Sequence, residues 1–316
     1  MLACVFSGQG SQYEGMGLHL CEHHASARAV YEEAADFLGY DPAGMDAVRL
    51  ALTEYAQPAI ITLSLAAWKA FGKMCESAAG KKPVHVFAGF SLGEYSALGA
   101  AGVLKLPQLL SLIRERGRLM QEAASQNPGA MYAVLGLADQ QILDLLESVT
   151  YKDKVYAANF NSPGQLVISG LAAPAAACAD DLRTAGARRI VQLNVGGAFH
   201  TPFMAGAAAE LALYAANLTY HVPAGYFYSN ASGGLRNDGL SWPDYLALQM
   251  CSPVRWTDEI KAIGSSGTST FYEFGPGKVL AGLIRKILTS ASVWSIDDDA
   301  GLAEAVQAYH ICYNKI

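Results

Sequence analysis

Residues 84–98 read Val-His-Val-Phe-Ala-Gly-Phe-Ser-Leu-Gly-Glu-Tyr-Ser-Ala-Leu, and they specify a sharp change of direction in the chain. The first five residues form a short, mostly apolar run typical of a buried strand, and the residues from Leu92 onward are typical of a helix start. Between them lies Gly89-x-Ser91-x-Gly93, which indicates a nucleophile elbow when a strand precedes it and a helix follows. The two glycines permit a tight turn and close packing of helix on strand.

Ser91 is therefore the candidate nucleophile. Its hydroxyl would project from the turn near the positive end of the following helix dipole. The backbone N–H of Leu92 would face an oxyanion formed on an attacked carbonyl. The alternative is a chance match, since the bare pattern is common in a chain with 31 glycines. The flanking strand and helix favour the catalytic interpretation.

The composition is that of an ordinary enzyme. The chain has 316 residues, is 52% hydrophobic and carries a net charge of −6, which gives no sign of nucleic-acid binding or of attraction to anionic membranes. The six cysteines are scattered without a Cys-x-x-Cys pair, so the sequence predicts reduced thiols rather than zinc or disulfides. The start lacks a basic signal-peptide region, and no apolar stretch is long enough to span a bilayer. We expect a cytoplasmic protein without a metal.

The order of predicted elements indicates two domains. Residues 2–6 predict a strand, and residues 22–38 and 58–75 predict helices, the second opening near Pro58. After Pro128 the predicted elements follow the order βαββαβ, which is that of a ferredoxin-like domain. They are strand 130–135, helix 139–149, strands 155–160 and 165–169, helix 172–185 and strand 189–194. The prediction is an α/β-hydrolase-like domain over 1–127 and 196–316, with a ferredoxin-like small domain over 128–195.

Arg116 is the unusual residue of the next helix, predicted over Leu109–Ala124. At 100° per residue it lies on the apolar stripe, whereas Arg114 and Arg118 lie on the opposite face. A guanidinium on an apolar face must be paired, because an unpaired buried charge is costly. Its partner is either a carboxylate of the protein or the carboxylate of a substrate held in a bidentate fork. The helix alone leaves both possibilities open.

A serine nucleophile also needs a base, and His200 is the best candidate. It follows the apolar and glycine-containing stretch 195–199, where a strand end would pass into a loop. Catalytic residues collect in such loops in open α/β sheets. His85 lies within the strand before the elbow, and His23 and His24 lie in a polar helical stretch, so a structural or surface position suits them better. A satisfied polar histidine remains the alternative for His200.

Seven motifs follow one another along the chain: residues 6–12 (FSGQGSQ), 89–98 (GFSLGEYSAL), Arg116-Gly117 with 120–123 (MQEA), 159–165 (NFNSPGQ), 198–200 (AFH), Gln249 with 252–256 (SPVRW), and 273–280 (EFGPGKVL). In this order they resemble one family, the malonyl-CoA:acyl carrier protein transacylases of fatty-acid and some polyketide pathways. The resemblance covers nearly the whole chain.

The resemblance implies a role for each matching residue. Ser91 would accept the malonyl group, His200 would act as the base, and the main-chain carbonyl of Gln249 would orient the imidazole in place of an acidic third member. The backbone N–H groups of Gln9 and Leu92 would form the oxyanion hole. A further residue, Arg116, would hold the malonyl carboxylate.

The resemblance also implies the partners. The acyl-serine would pass its malonyl group to the phosphopantetheine thiol of an acyl carrier protein, with no metal and no cofactor of its own, and we expect a monomer. Because a carrier protein is acidic, docking needs a local basic patch. The candidate basic residues are Arg188, Arg189, Lys278, Arg285 and Lys286.

Three positions distinguish this chain within the resemblance. Phe90 stands where most relatives have histidine, and it offers no ring nitrogen for hydrogen bonding. Ser7 stands where proline is usual, which affects the rigidity of the glycine-rich loop. Phe199, before His200, resembles the malonyl-preferring branch, in which a bulky ring leaves little room for a methyl branch on the substrate.

Other function classes fit less well. A dinucleotide-binding loop fails because Tyr13 occupies the third glycine position of Gly-x-Gly-x-x-Gly. An acyl hydrolase of a polyketide pathway would share the fold but pass the acyl group to water, and it would not need Arg116. A non-catalytic subunit that binds a carrier protein would not need Ser91 and His200 together.

Overall fold

The computed structural model describes residues 1–76 and 83–313. These residues group into two compact units, the first formed by 1–76, 83–114, 219–229 and 262–313 and the second by 115–218 and 230–261. This division differs from the domain boundaries predicted from the sequence. The predicted small domain over 128–195 stays a prediction.

The helices and strands cover most of the described residues. The strands are β1 Leu2–Phe6, β2 His85–Gly89, β3 Gly129–Leu135, β4 Val155–Ser162, β5 Gln165–Leu171, β6 Arg189–Gln192, β7 Tyr226–Ser229, β8 Gly234–Leu235, β9 Thr270–Phe274 and β10 Ser292–Ile296. The α-helices are α1 Leu18–His23, α2 Ala25–Leu38, α3 Ala47–Leu50, α4 Thr53–Cys75, α5 Gly93–Ala100, α6 Leu106–Gln126, α7 Asp139–Leu146, α8 Ala172–Thr184, α9 Ala205–Ala215, α10 Trp242–Cys251, α11 Trp256–Ser265, α12 Val279–Ile287 and α13 Asp299–Tyr313.

The first unit is built on a parallel sheet with β1 at its centre. The order of its strands is β10-β9-β1-β2-β7, with each neighbouring pair parallel. Every residue of β1 is fully buried, as expected for a strand covered on both faces. In the register, Phe6 faces both Gly89 and Phe274. The loops that follow β1, β2 and β9 therefore start side by side at the carboxyl edge, where open α/β sheets place their sites.

The second unit contains an antiparallel sheet in the order β4-β5-β3-β6. With helices α7 and α8 after its first and third strands, this is the ferredoxin-like arrangement predicted from the sequence. One face packs on both helices through a core that includes Ile142, Leu166 and Cys178. The α/β fold class with a ferredoxin-like sheet is confirmed.

Two helix boundaries predicted from the sequence are wrong. The segment predicted as one helix over 22–38 is broken at His24, which is extended with φ −123° and ψ 107° and separates α1 from α2. Helix α4 begins at Thr53, so Pro58 lies inside it rather than at its opening. Pro58 has no N–H, so the carbonyl of Glu54 in the first turn loses one helical hydrogen bond. Burial of the apolar residues that follow Pro58 outweighs the loss of this bond. No helix within residues 1–76 and 83–313 is long and apolar enough to cross a membrane.

Candidate active site

The turn after β2 has the geometry of a nucleophile elbow. Ser91 has φ +53°, in the left-handed region that residues other than glycine rarely occupy. Such strain persists only where the surrounding structure enforces it, and it clusters at functional sites. Here the enforcing bonds run from the N–H of Phe90 to the carbonyl of Phe6 at 3.0 Å and from the N–H of Gly93 to the carbonyl of Phe90 at 2.9 Å.

Both glycines of the elbow are required by space rather than by backbone conformation. A Cβ at Gly89 would lie 2.1 Å from the carbonyl carbon of Gly93. A Cβ at Gly93 would lie 1.9 Å from the carbonyl oxygen of Phe6. The obstacles are backbone atoms, so side-chain rearrangement cannot relieve them. Helix α5 therefore packs directly on the ends of β1 and β2.

The glycine-rich loop after β1, residues 7–12, lies against this elbow. A Cβ at Gly8 would lie 2.6 Å from the carbonyl oxygen of Phe90 and 3.3 Å from its ring. The side chain of Gln9 accepts a hydrogen bond from Nε2 of Gln57 at 3.4 Å. The first unit thus brings the Gln9 loop to the Ser91 turn, as the predicted oxyanion hole requires. Phe90 occupies that contact with an apolar ring.

Helix α6 presents its faces as the sequence predicts. Arg116 is 1% exposed, although it is the only charged residue on a stripe that also buries Ile113 and Met120. Arg114 is exposed, and the equally exposed Arg118 forms ion pairs with glutamates of the same helix. Of these three arginines only Arg116 is buried, and because burying a charge is costly, this indicates that its guanidinium has a specific role.

The turn that carries His200 is also strained. His200 has φ +59° and is 5% exposed. The hydroxyl of Thr201, itself fully buried, donates to the carbonyl of Ala198 at 2.5 Å and accepts from the N–H of Phe203 at 3.3 Å. Thr201 therefore closes the turn on one side and caps the short 3₁₀ helix Pro202–Met204 on the other.

The imidazole of His200 is bound to main-chain carbonyls. Its Nδ1 lies 3.0 Å from the carbonyl oxygen of Ser252, and the backbone of Gln249 also hydrogen-bonds to the ring. Since a carbonyl oxygen can only accept, Nδ1 donates, and Nε2 of the neutral ring keeps the lone pair that a base requires. The sequence reasoning named Gln249 and missed Ser252. The sequence held a signal for Ser252, because Ser252 precedes Pro253. A residue before proline is extended, so its carbonyl does not bond within a helix and is free to accept another donor.

The segment that offers the Ser252 carbonyl is itself held by strand β4. Val254 donates to Ala158 at 2.8 Å and accepts from Phe160 at 2.9 Å, which forms an isolated parallel bridge. The hydroxyl of Thr257 adds a bond to the carbonyl of Phe160 at 3.0 Å. An edge strand of the ferredoxin-like sheet therefore fixes the acceptor of the candidate base.

Burial and charge together keep His200 neutral. Burial and, to a lesser extent, the positive charge of the neighbouring Arg116 guanidinium lower its pKa to about 4, although the hydrogen bonds to Ser252 and Gln249 act in the opposite direction. The proximity of Arg116 and His200 means that the second unit brings together a cation and a neutral base. That pair can bind a carboxylate beside a group that accepts a proton.

Phe199 is placed by the antiparallel sheet. Its ring packs against the face formed by Met131, Ala133, Ala158 and Val167, the face opposite to helices α7 and α8. A Cβ at Gly197 would lie 2.4 Å from the ring, so the glycine makes room for it. The ring is thereby held rigidly next to His200 in the chain.

The residues that the structure describes contain no cluster of three or more His, Cys, Asp or Glu side chains suited to hold a metal ion.

A serine forced into the left-handed region at a strand–helix turn is a device for exposing a nucleophile, and it places the chain among the serine-dependent enzymes of the α/β class. Comparison with known families narrows the class, since the acyl transferase domain model matches residues 3–305. The chain belongs to the acyl transferase domain family.

The relatives of this chain match it over nearly their whole length. The malonyl CoA-acyl carrier protein transacylase of Salmonella typhimurium is 35% identical over 308 residues, which are 96% of this chain and 98% of that protein. The crystal structure of the malonyl-CoA:acyl carrier protein transacylase of Xanthomonas oryzae pv. oryzae matches with a TM-score of 0.90 and 38% identity, covering 97% of this chain and 98% of that one. A malonyl-transacylase in complex with its type II polyketide synthase acyl-carrier protein matches with a TM-score of 0.90 and 34% identity, covering 97% and 99%.

Proposed function

We propose that the protein transfers a malonyl group from malonyl-CoA to the phosphopantetheine thiol of an acyl carrier protein. The observation that carries this proposal is the buried Arg116 beside His200, because a fixed cation next to the base suits an acyl group that ends in a carboxylate. The relatives that match over nearly the whole chain are malonyl-CoA-acyl carrier protein transacylases, which supports the same reaction.

The reaction would proceed in two half-reactions through an acyl-serine. In the first, Oγ of Ser91 attacks the thioester carbonyl while Nε2 of His200 takes the hydroxyl proton. The C–S bond breaks, and the coenzyme A thiolate leaves with that proton. In the second, the carrier thiol loses its proton to His200 and its sulfur attacks the carbonyl of the serine ester. The C–Oγ bond breaks, and Oγ of Ser91 takes the proton back from His200, which restores the free hydroxyl.

The remaining site residues would stabilise charge and hold the substrate. The backbone N–H groups of Gln9 and Leu92 would stabilise the oxyanion of each tetrahedral intermediate. The guanidinium of Arg116 would bind the malonyl carboxylate, and Phe199 would limit the space for a branched acyl group. The backbone of Gln249, together with Ser252, would hold the imidazole in its base tautomer.

The carrier protein would approach through basic side chains. Arg188, Arg189, Lys278 and Lys286 are exposed, as an acidic partner requires. Arg285 is exposed as well, although its guanidinium donates to the carbonyl of Val293 at 2.8 Å. We propose a monomer that acts in the cytoplasm and needs no metal or bound cofactor.

Mass spectrometry of the protein mixed with malonyl-CoA tests the proposal. We expect a malonyl adduct on Ser91 that is absent in Ser91→Ala. Addition of a holo acyl carrier protein should discharge the adduct and load the carrier thiol. Release of free malonate with an unloaded carrier would identify an acyl hydrolase instead, and an adduct that survives Ser91→Ala would refute the proposed nucleophile.

A further inference from the structure

The carboxylate of Glu273, at the end of β9, is fully buried and has no part in the proposed reaction. Its Oε1 accepts from the N–H of Leu280 at 2.9 Å and from the hydroxyl of Ser7 at 3.3 Å. Its Oε2 accepts from the N–H of Ala281 at 3.0 Å and from the hydroxyl of Ser295 at 2.8 Å. Burial raises the pKa of Glu273, and these four donors oppose that shift. Because it accepts four hydrogen bonds, the Glu273 carboxylate is a rigid point within the first unit.

This rigid point joins three elements. Leu280 and Ala281 belong to the first turn of α12, and Ser295 belongs to β10. Only Ser7 belongs to the loop that contains Gln9. The hydroxyl of Ser7 is therefore the side-chain link between the carboxylate and that loop.

Ser7 is held closely at its backbone as well. It is 3% exposed, and its N–H donates to the carbonyl of Phe274 at 3.0 Å. A Cβ at Gly275 would lie 3.0 Å from the Cβ of Ser7, so the loop after β9 packs against it without a gap. Two residues farther on is Gln9, whose backbone N–H must point at the oxyanion.

We propose that Glu273 and Ser7 act as a positioning pair that aims the backbone N–H of Gln9 at the oxyanion. The inference deepens the proposed function and rests on it. In the family that the sequence resembles, proline is usual at this position and limits the backbone by its ring. In this chain the hydroxyl of Ser7 supplies the restraint through a hydrogen bond. Neither side chain touches the reacting atoms.

Such a pair would lower the energy of the transition state for acylation without changing the binding of the substrate. The oxyanion exists only while the thioester carbonyl is tetrahedral, so a misdirected N–H slows acylation and leaves the binding of malonyl-CoA unchanged. Deletion of one oxyanion donor costs roughly 10²–10³-fold in rate. A loosened donor keeps part of its effect, and we expect Ser7→Ala to slow acylation roughly tenfold.

Ser295→Ala provides the matched control, because it removes a hydroxyl from the same carboxylate without changing the loop after β1. The measurement is rapid-mixing acylation of Ser91 by malonyl-CoA, with KM and the midpoint of thermal unfolding determined for each variant. Ser7→Ala should acylate roughly tenfold more slowly than Ser295→Ala at equal thermal midpoints and with KM within about twofold. Ser7→Thr, which keeps the hydroxyl, should restore the rate.

Acylation by Ser7→Ala within about twofold of the unsubstituted protein would overturn the inference, and so would an equal loss in Ser295→Ala. If Ser7→Ala fails to fold, Ser7→Cys keeps the side-chain volume with a much weaker donor and is judged by the same comparison. Failure of the proposed function is distinguishable, since the unsubstituted protein would then form no adduct on Ser91 at all.

Discussion

Nδ1 of His200 donates a hydrogen bond to the carbonyl oxygen of Ser252 at 3.0 Å. In many serine enzymes a carboxylate occupies this position and stabilises the imidazolium that forms during reaction. A carbonyl orients the ring equally well but adds no full negative charge. The proposed base is therefore oriented without its proton affinity being raised by an anion, which agrees with a His200 pKa of about 4.

The first prediction concerns the pH dependence of acylation. Since the pKa of His200 lies at about 4, the base stays neutral through the mildly acidic range, and the rate of acylation should fall with a midpoint near 4 rather than near 6.5. Removal of the positive charge in Arg116→Ala should raise that midpoint. Arg118→Ala removes an exposed charge from the same helix and should leave it unchanged. A midpoint between 6 and 7 in the unsubstituted protein would contradict the prediction.

The same group should make stability depend on pH. The folded-state pKa of about 4 lies below the ordinary value of 6.5, so between these values the unfolded chain binds more protons at this histidine. The contribution of His200 is therefore present above pH 6.5 and is lost as the pH falls to 4. Its size is about 3 kcal/mol, at roughly 1.4 kcal/mol per unit. Urea unfolding at pH 7, 5.5 and 4 measures it. In His200→Gln the unfolding free energy lost between pH 7 and pH 4 should be smaller by that amount, and an unchanged loss would assign it to other groups.

Arg116 should discriminate between acyl groups. Arg116→Ala removes the proposed partner of the malonyl carboxylate, and the loss should amount to roughly 1.5–3 kcal/mol in kcat/KM for malonyl-CoA, or about 10- to 150-fold. Acetyl-CoA has no carboxylate and should be used about as well as before. Arg118→Ala should leave both substrates unaffected. An equal loss for both acyl groups would show that Arg116 serves the structure rather than the substrate.

Alanine substitution at two helical glycines should change the unfolding free energy in opposite directions. Gly93→Ala places a Cβ 1.9 Å from the carbonyl oxygen of Phe6, so we expect a loss of at least about 3 kcal/mol in unfolding free energy and no acylation. Gly72, inside α4, has open space around the new Cβ. There alanine should stabilise by about 0.5–1 kcal/mol, because the unfolded chain loses freedom. Thermal and urea unfolding measure both. A tolerated Gly93→Ala would refute the close packing of α5 on β1.

Local pattern was enough for much of the fold. The strand before Ser91 and the helix after it, the ferredoxin-like strand order and the inward face of Arg116 all follow from periodicities of two and 3.6 residues, and the structure has each of them. The start of α4 could not be predicted in this way. Proline in a first turn is common, and only the buried surroundings of α4 permit Pro58 farther inside.

The sequence by itself determined that a serine stands at a sharp strand–helix turn, since the spacing of Gly89, Ser91 and Gly93 is a local requirement of backbone space. Tertiary structure decided which carbonyl holds His200 and which carboxylate holds the loop of Gln9. The partners in these cases, Ser252 and Glu273, lie 52 residues from His200 and 266 residues from Ser7 along the chain. Contacts at such separations depend on strand register and packing, which no local pattern encodes.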